Sequence, residues 1–157
     1  MKKGITLLVI ILFFLILEVT LLDYVKVLGV KPDLLVILTI FFTLYLKSSL
    51  AITLAIILGL LKDSLSIDPF GINTIFFSLF SYSLVRMSKN LYRDDRVTQI
   101  ILVSTILVVT VLAKIFLFSF LKKEIFINTP VAGISFIEVL YTGALSPLLF
   151  LLLRKLL

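Results

Sequence analysis

Apolar positions in this chain fall into six blocks, over residues 4–22, 33–46, 49–65, 72–87, 97–121 and 134–153. Short polar stretches separate them. A helix that spans the hydrocarbon of a bilayer needs about 20 mainly apolar residues, within a range of about 17–25. The first, fifth and sixth blocks reach that length directly. The second and third are shorter and only Lys47 and Ser48 stand between them. At about 1.5 Å per residue the two reach only about 20–25 Å, so they predict short helices in a tight hairpin or a locally thinned bilayer.

The breaks are chemically clear. The polar stretch from Asp23 to Lys31 is closed by Pro32, and Asp68-Pro69-Phe70-Gly71 supplies Pro and Gly turn chemistry before the fourth block. A charged loop over 88–96 precedes the fifth block, and Lys122-Lys123-Glu124 followed by Pro130 and Gly133 precedes the sixth. No linker or shift of composition divides the chain. The pattern predicts one all-α domain over 1–157, an integral membrane bundle of six transmembrane helices. The start, Lys2-Lys3 followed by an apolar run, is like a signal peptide, but the run ends in Glu18-Val19-Thr20-Leu21-Leu22-Asp23 without a small-x-small cleavage site. It therefore reads as a retained first helix.

Composition strengthens this picture. Hydrophobic residues make up 61% of the 157 and charged ones 15%, against about 45–50% and about 25% in ordinary soluble domains. Mean hydropathy is +1.26. Cys and His are both absent, which removes disulfides, thiolate metal sites and the commonest general base. The net charge of +6 does not point to nucleic acid, because the basic residues flank apolar blocks and form no solvated basic stretch. Their distribution sets orientation. With the N-terminus inside, nine basic residues, among them all four arginines (Arg86, Arg93, Arg96, Arg154), lie on the cytoplasmic side. Lys26, Lys31, Lys62, Lys122 and Lys123 lie outside. The reading is a multi-pass protein of the bacterial cytoplasmic (inner) membrane with both termini cytoplasmic.

Charges inside spans are costly and mark functional candidates. Glu18, Asp63, Lys114 and Glu138 all fall in the outer half of the bilayer under this orientation, at depths of about 6–10 Å, and are expected to form an intramembrane polar layer. The alternative is that the two glutamates meet interfacial water and Lys114 snorkels outward. A second feature is the four-residue spacing of Ala51, Ala55, Gly59 and Asp63. It lies on one helix face and suits close helix packing in lipid, inside the bundle or between two copies in a homodimer. Pro147, one turn after Gly143, would remove a backbone donor from the sixth helix. Phe13-Phe14, Phe41-Phe42 and Phe76-Phe77 read as packing or lipid-facing groups. Tyr24, Tyr45, Tyr92 and Tyr141 fall near interfaces. No nucleophile–base pair, phosphate-cradling loop or metal-ligand spacing is present, so no catalytic residue, cofactor or metal site is expected.

Two stretches carry a family resemblance. Pro32-Asp33-Leu34-Leu35-Val36-Ile37-Leu38 resembles the "PDLLL" opening of the second helix in the rod shape-determining protein MreD family. Gly59-Leu60-Leu61-Lys62-Asp63-Ser64-Leu65-Ser66-Ile67-Asp68-Pro69-Phe70-Gly71 resembles that family's "GLL-x-D-x-x-S-x-x-PFG" signature. Lys62 departs from it, since the family is usually apolar there. The resemblance implies a fold like that of the substrate-binding subunits of energy-coupling-factor transporters. It also implies a non-catalytic role in the elongation machinery that builds lateral peptidoglycan and maintains rod shape. The implied partners are MreC directly, and MreB and the RodA wall synthase through it, with membrane lipid around the bundle. Carried over by motif, Pro32, Asp33, Gly59, Asp63, Pro69, Phe70 and Gly71 would shape the outer hairpins and present a surface to MreC.

Two alternatives come from other classes. A vitamin-capturing subunit of an energy-coupling-factor transporter would have a similar six-helix bundle. However, the first block here lacks any Ala for the usual docking face, the chain has no Trp, and no cluster of Asn, Gln or His is present to read a polar ligand. An accessory subunit of an ion antiporter would use Glu18, Lys114 and Glu138 for ion movement.

Overall fold

The blocks fold as helices. In a computed structural model, α1 (Lys2–Ile16) runs into a π-helical turn (Leu17–Leu21), followed by α2 (Leu34–Tyr45), α3 (Ser48–Leu65), α4 (Ile72–Met87), α5 (Arg96–Phe120) and α6 (Thr129–Leu156). The structure describes residues 2–21, 29–66, 70–87, 95–120 and 129–156, with no strand element among them. The last helix begins five residues before the apolar block that predicts it, at Thr129 rather than 134. Pro69, Tyr24 and Tyr92 lie outside the described residues.

The shortest block turns out to be the centre of the fold. Every residue of α2 from Leu34 to Leu44 is buried, and α2 packs against each of the other helices. A helix that is apolar all round belongs in an interior. With protein rather than lipid on all sides, its 12 residues, about 18 Å, need not match the bilayer. Its hydroxyls are bonded back into the bundle: Thr39 and Thr43 donate to the carbonyls of Leu35 and Thr39 at 2.8 and 2.7 Å. Thr43 Oγ1 also lies 2.9 Å from Ser81 Oγ on α4.

The other helices show the opposite polarity from a water-soluble bundle. On α1, Leu7, Ile10, Ile11 and Phe14 are buried at helical spacing, while Ile5, Leu8, Val9, Leu12, Phe13 and Ile16 are exposed. Ile56, Ile57 and Leu60 on α3, Val108, Val109, Leu112 and Phe116 on α5, and Leu140, Leu148 and Leu151 on α6 continue this apolar exterior. Thr110, Thr142, Ser146 and Gln99 face inward instead. Lipid accepts such a surface and water does not. Three helical segments, Ser48–Leu65, Arg96–Phe116 and Phe136–Leu156, are long and apolar enough to cross a membrane, and Gly4–Thr20 and Leu34–Tyr45 are shorter apolar helices.

Small residues set the closest approaches. A Cβ on Gly59 would sit 2.5 Å from the Cα of Thr74, so α3 and α4 touch backbone to backbone there. Because that obstacle cannot rotate away, Gly59→Ala is expected to destabilise the bundle by about 1–3 kcal/mol, the usual range for overpacking. A titration of the purified protein with denaturing detergent reads this directly, and an unchanged midpoint would refute the close contact. At Gly143 the approach of α6 to α5 is against a side chain: a Cβ there would meet Ser104 Oγ at 2.8 Å, a group that can rotate. One turn on, Pro147 lies inside a continuous α6. Proline leaves the carbonyl four residues earlier without its amide partner, and Ser146 Oγ donates to that Gly143 carbonyl at 2.7 Å.

The start of α5 is capped locally. Asp95 Oδ2 accepts from Thr98 N at 3.0 Å and from Thr98 Oγ1 at 2.9 Å. The Thr98 amide, with the Thr98 hydroxyl second, holds the Asp95 carboxyl below the usual carboxylate range. The end of α2 near this level is aromatic: Tyr45 stacks on Phe41 at 4.7 Å, and Phe150 of α6 meets Phe41 edge-on at 5.4 Å.

Candidate functional site

Hydrogen bonds and ion pairs join the end of α1, the start of α2 and the end of α3 to the middle of α6, and the end of α3 to the start of α4. The charged side chains of the spans meet there. Glu18 continues the buried stripe of α1 one turn beyond Phe14 and is itself buried. Asp33, with extended backbone angles (φ −91°, ψ 94°), is the N-cap of α2, and its Oδ1 accepts from Val36 N at 3.1 Å. Glu18 Oε2 accepts from Leu34 N at 2.9 Å. Two carboxylates from different helices thus satisfy the first turn of α2, where free amides and the positive end of the helix dipole favour negative charge.

Lys62 supplies the counter-charge. Its Nζ lies 2.7 Å from Asp33 Oδ2 and 3.2 Å from Glu18 Oε1. The Asp33 amide donates to Thr142 Oγ1 of α6 at 3.0 Å. This ion-paired centre therefore fastens α1, α2, α3 and α6 together. Glu138 of α6 lies within electrostatic range of Asp33, Lys62, Lys114 and Glu18. Lys31 Nζ reaches the backbone carbonyl of Glu18 at 3.5 Å. Among the described residues, no buried side-chain nitrogen or oxygen is left without a hydrogen-bond partner.

Asp63, the next residue along α3, points to a different task. Its Oδ1 accepts from Asn73 N at 2.9 Å and from Asn73 Nδ2 at 3.0 Å. Its Oδ2 accepts from Thr74 N at 3.0 Å and from the Thr74 hydroxyl. Ser66 Oγ accepts from Asn73 Nδ2 at 3.3 Å. A carboxylate from α3 thereby caps the first turn of α4 across the turn. Gly71, at φ +99°, supplies the left-handed residue that the turn needs just before α4. Phe70 beside it is 70% exposed.

The residues expected from the sequence are distributed as follows. Pro32 and Asp33 open α2 and are buried, Gly59 is the α3–α4 contact, and Ala51 and Ala55 are buried on the same stripe. Of the four charges expected as a polar layer, Glu138 lies within electrostatic range of both Glu18 and Lys114. Asp63 is engaged by Asn73 and Thr74 instead. The sequence reading missed Lys62 as the hub, counting it among the outer-loop bases. A lysine flanked by Leu61 and by a stripe aspartate inside an apolar block was the available signal. It also missed Asn73, Thr74 and Thr142, which nothing in the local pattern distinguishes from other polar residues. Among the described residues, no group of three or more Asp or Glu is placed to hold a metal ion.

The carboxylates of Glu18, Asp33 and Asp63 accept from backbone amides, the Asn73 side-chain amide, the Thr74 hydroxyl and one ammonium, and so join the helices at this end. The family model described as rod shape-determining protein MreD matches the chain over residues 1–156. No curated protein and no solved structure matches it.

Proposed function

The chain belongs to the rod shape-determining protein MreD family, and from that premise we propose that it is a non-catalytic membrane scaffold of the machinery that elongates the bacterial cell. The carrying observation is the family match over essentially the whole chain. The geometry adds a reason for the motif residues. Asp33 and Asp63 each bond the first turn of the following helix, and Gly59 lets α3 and α4 meet, so the motifs build the stiff outer end of a bundle. In this reading all six helices lie in the cytoplasmic (inner) membrane, arranged like the substrate-binding subunits of energy-coupling-factor transporters. Both termini are cytoplasmic, and the ion-paired end lies toward the outside. The stiff end presents a surface to MreC, and through it the scaffold serves MreB and the RodA wall-synthase complex during lateral peptidoglycan synthesis.

Depletion in the native cell, with cell width followed by microscopy, tests the reading. Rounding and widening that a wild-type copy reverses is the expected result; normal shape under full depletion would reject the role. The docking surface has its own test. Phe70 is a large apolar ring exposed at the tip of the α3–α4 hairpin, and exposed aromatics of this kind are typical interface anchors. Phe70→Ala is expected to leave the abundance and unfolding of the protein unchanged. Co-purification of MreC should weaken about tenfold or more, the effect of losing 1.4 kcal/mol or more at a hot spot. Undiminished MreC capture would remove Phe70 from the interface.

A further inference from the structure

Between α1 and the end of α6 runs an apolar groove of about 540 Å³. Its floor is Ile10 and Phe14, and its walls are Val9 and Phe13 of α1 and Leu152 and Leu156 of α6. We propose that this groove holds an acyl chain of an anionic phospholipid, whose phosphate lies at the basic end of the groove by Lys155.

The lining selects an apolar occupant. Ile10 and Phe14 belong to the buried core, at 5% and 1% exposed, whereas Phe13 on the wall is 53% exposed. Among the described residues, Thr6 is the one polar member of the lining. The volume falls within the range of ligand pockets, about 300–1,000 Å³.

The size of the side chains then separates a lipid chain from a helix. Helices that pack in lipid meet through small residues, as α3 and α4 do at Gly59. Val, Leu and Phe wall this groove, and no Gly, Ala or Ser is among its described lining. A neighbouring helix is therefore held off the floor. A flexible acyl chain follows the gaps between such side chains and reaches Ile10 and Phe14.

Charge at one end identifies the headgroup. Glu18, beyond the end of α1, is within electrostatic range of Glu138 on α6, and α6 runs on from there to Leu156 in the groove. Its last turn therefore lies toward the start of α1. Lys155 is exposed and follows Leu152 by three positions, on the same side of α6. Arg154 turns the other way and lines a separate cleft with Tyr45 and Gln99. On α1, Lys2 begins the stripe that Thr6, Val9 and Phe13 continue. There is no Asp or Glu in α1, and none in α6 after Glu138. Basic residues at a membrane surface draw anionic lipid.

The chain contains no tryptophan, so one introduced at a chosen place reports on its own surroundings. Phe13→Trp puts the reporter on the groove wall. Leu12→Trp puts it at nearly the same depth on the exposed face outside the groove. The full-length variants are placed in vesicles of dioleoyl phosphatidylcholine with a small fraction of phosphatidylglycerol brominated on its acyl chains, which quenches tryptophan on contact. Quenching of Phe13→Trp is expected to rise steeply and saturate, while that of Leu12→Trp follows the bulk fraction of the lipid. Brominated phosphatidylcholine should quench the two reporters equally. Adding Lys155→Gln should lower the apparent affinity at Phe13→Trp about fivefold, the effect of one basic residue near an anionic surface, and Lys155→Arg should leave it unchanged. Equal quenching of both reporters by brominated phosphatidylglycerol, the same excess with brominated phosphatidylcholine, or an unchanged response in Lys155→Gln overturns the proposal. Shielding of Phe13→Trp from both lipids would put a second copy of the chain in the groove and overturn it as well.

Discussion

Replacing Lys62 by Met is expected to destabilise the folded bundle by about 3–5 kcal/mol, the cost of removing one partner from a buried ion pair. Total stability of a domain is of the order of 5–15 kcal/mol, so the variant should accumulate poorly in cells and fail to sustain rod shape. Methionine matches the stem of lysine in length and packs without strain. The loss therefore comes from the carboxylates of Glu18 and Asp33, buried 2.7–3.2 Å from an ammonium that is no longer there. Apolar surroundings do not tolerate two unpaired carboxylates side by side. Either they take up a proton or water enters the start of α2, and both outcomes weaken the joint between α1, α2 and α3.

Removing a charge from the other side should then help. Glu18→Gln keeps an acceptor for Leu34 N while deleting one negative charge. The double variant Glu18→Gln, Lys62→Met is expected to recover part of the stability lost in Lys62→Met, although Glu18→Gln alone is destabilising. That reversal of sign is the signature of charge pairing and separates it from a packing defect. Unfolding in denaturing detergent measures all three variants. If Lys62→Met unfolds at the wild-type midpoint, the ion-paired centre is not what fastens this end of the bundle.

What the sequence made legible was local, and what it concealed was long-range. Asp33 after Pro32 announces a helix start, and its carboxylate does cap Val36. The four-residue spacing to Gly59 announces a close helix contact, and Thr74 is found there. Both signals live within a turn or two of chain. The pairing of Glu18 with Lys62 spans 44 positions, and that of Asp33 with Thr142 spans 109. Helical periodicity contains no term that links such positions. The central place of α2 was concealed for another reason. An unbroken apolar block has no polar face by which to tell lipid from protein, so its shortness read as a thin bilayer rather than as burial among other helices. The only trace was that its polar residues are threonines, which can bond their own helix.

Asp63→Ala is expected to lower stability by about 2–4 kcal/mol, because it strips partners from several buried and part-buried donors at once. Helix caps of this type contribute about 0.5–2 kcal/mol, and each buried donor left unsatisfied adds about 1–3 kcal/mol. Here the Asn73 and Thr74 amides both depend on one side chain. The Asn73 side-chain amide keeps Ser66 as an alternative, and the Thr74 hydroxyl can rotate, so the two backbone amides dominate the loss. Asp63→Asn retains one acceptor oxygen but brings an NH2 group against a first-turn donor, and should fall between Ala and wild type.

Amide hydrogen exchange locates the damage as well as measuring it. Asp63→Ala should raise exchange at Asn73 and Thr74 while leaving Leu34 and Val36 protected. Lys62→Met should do the reverse, because its effect passes through the carboxylates that cap α2. Adjacent residues on one helix turn would then open different helices. Equal loosening of both sites in both variants would instead show a single cooperative end, in which the α2 and α4 joints cannot open separately.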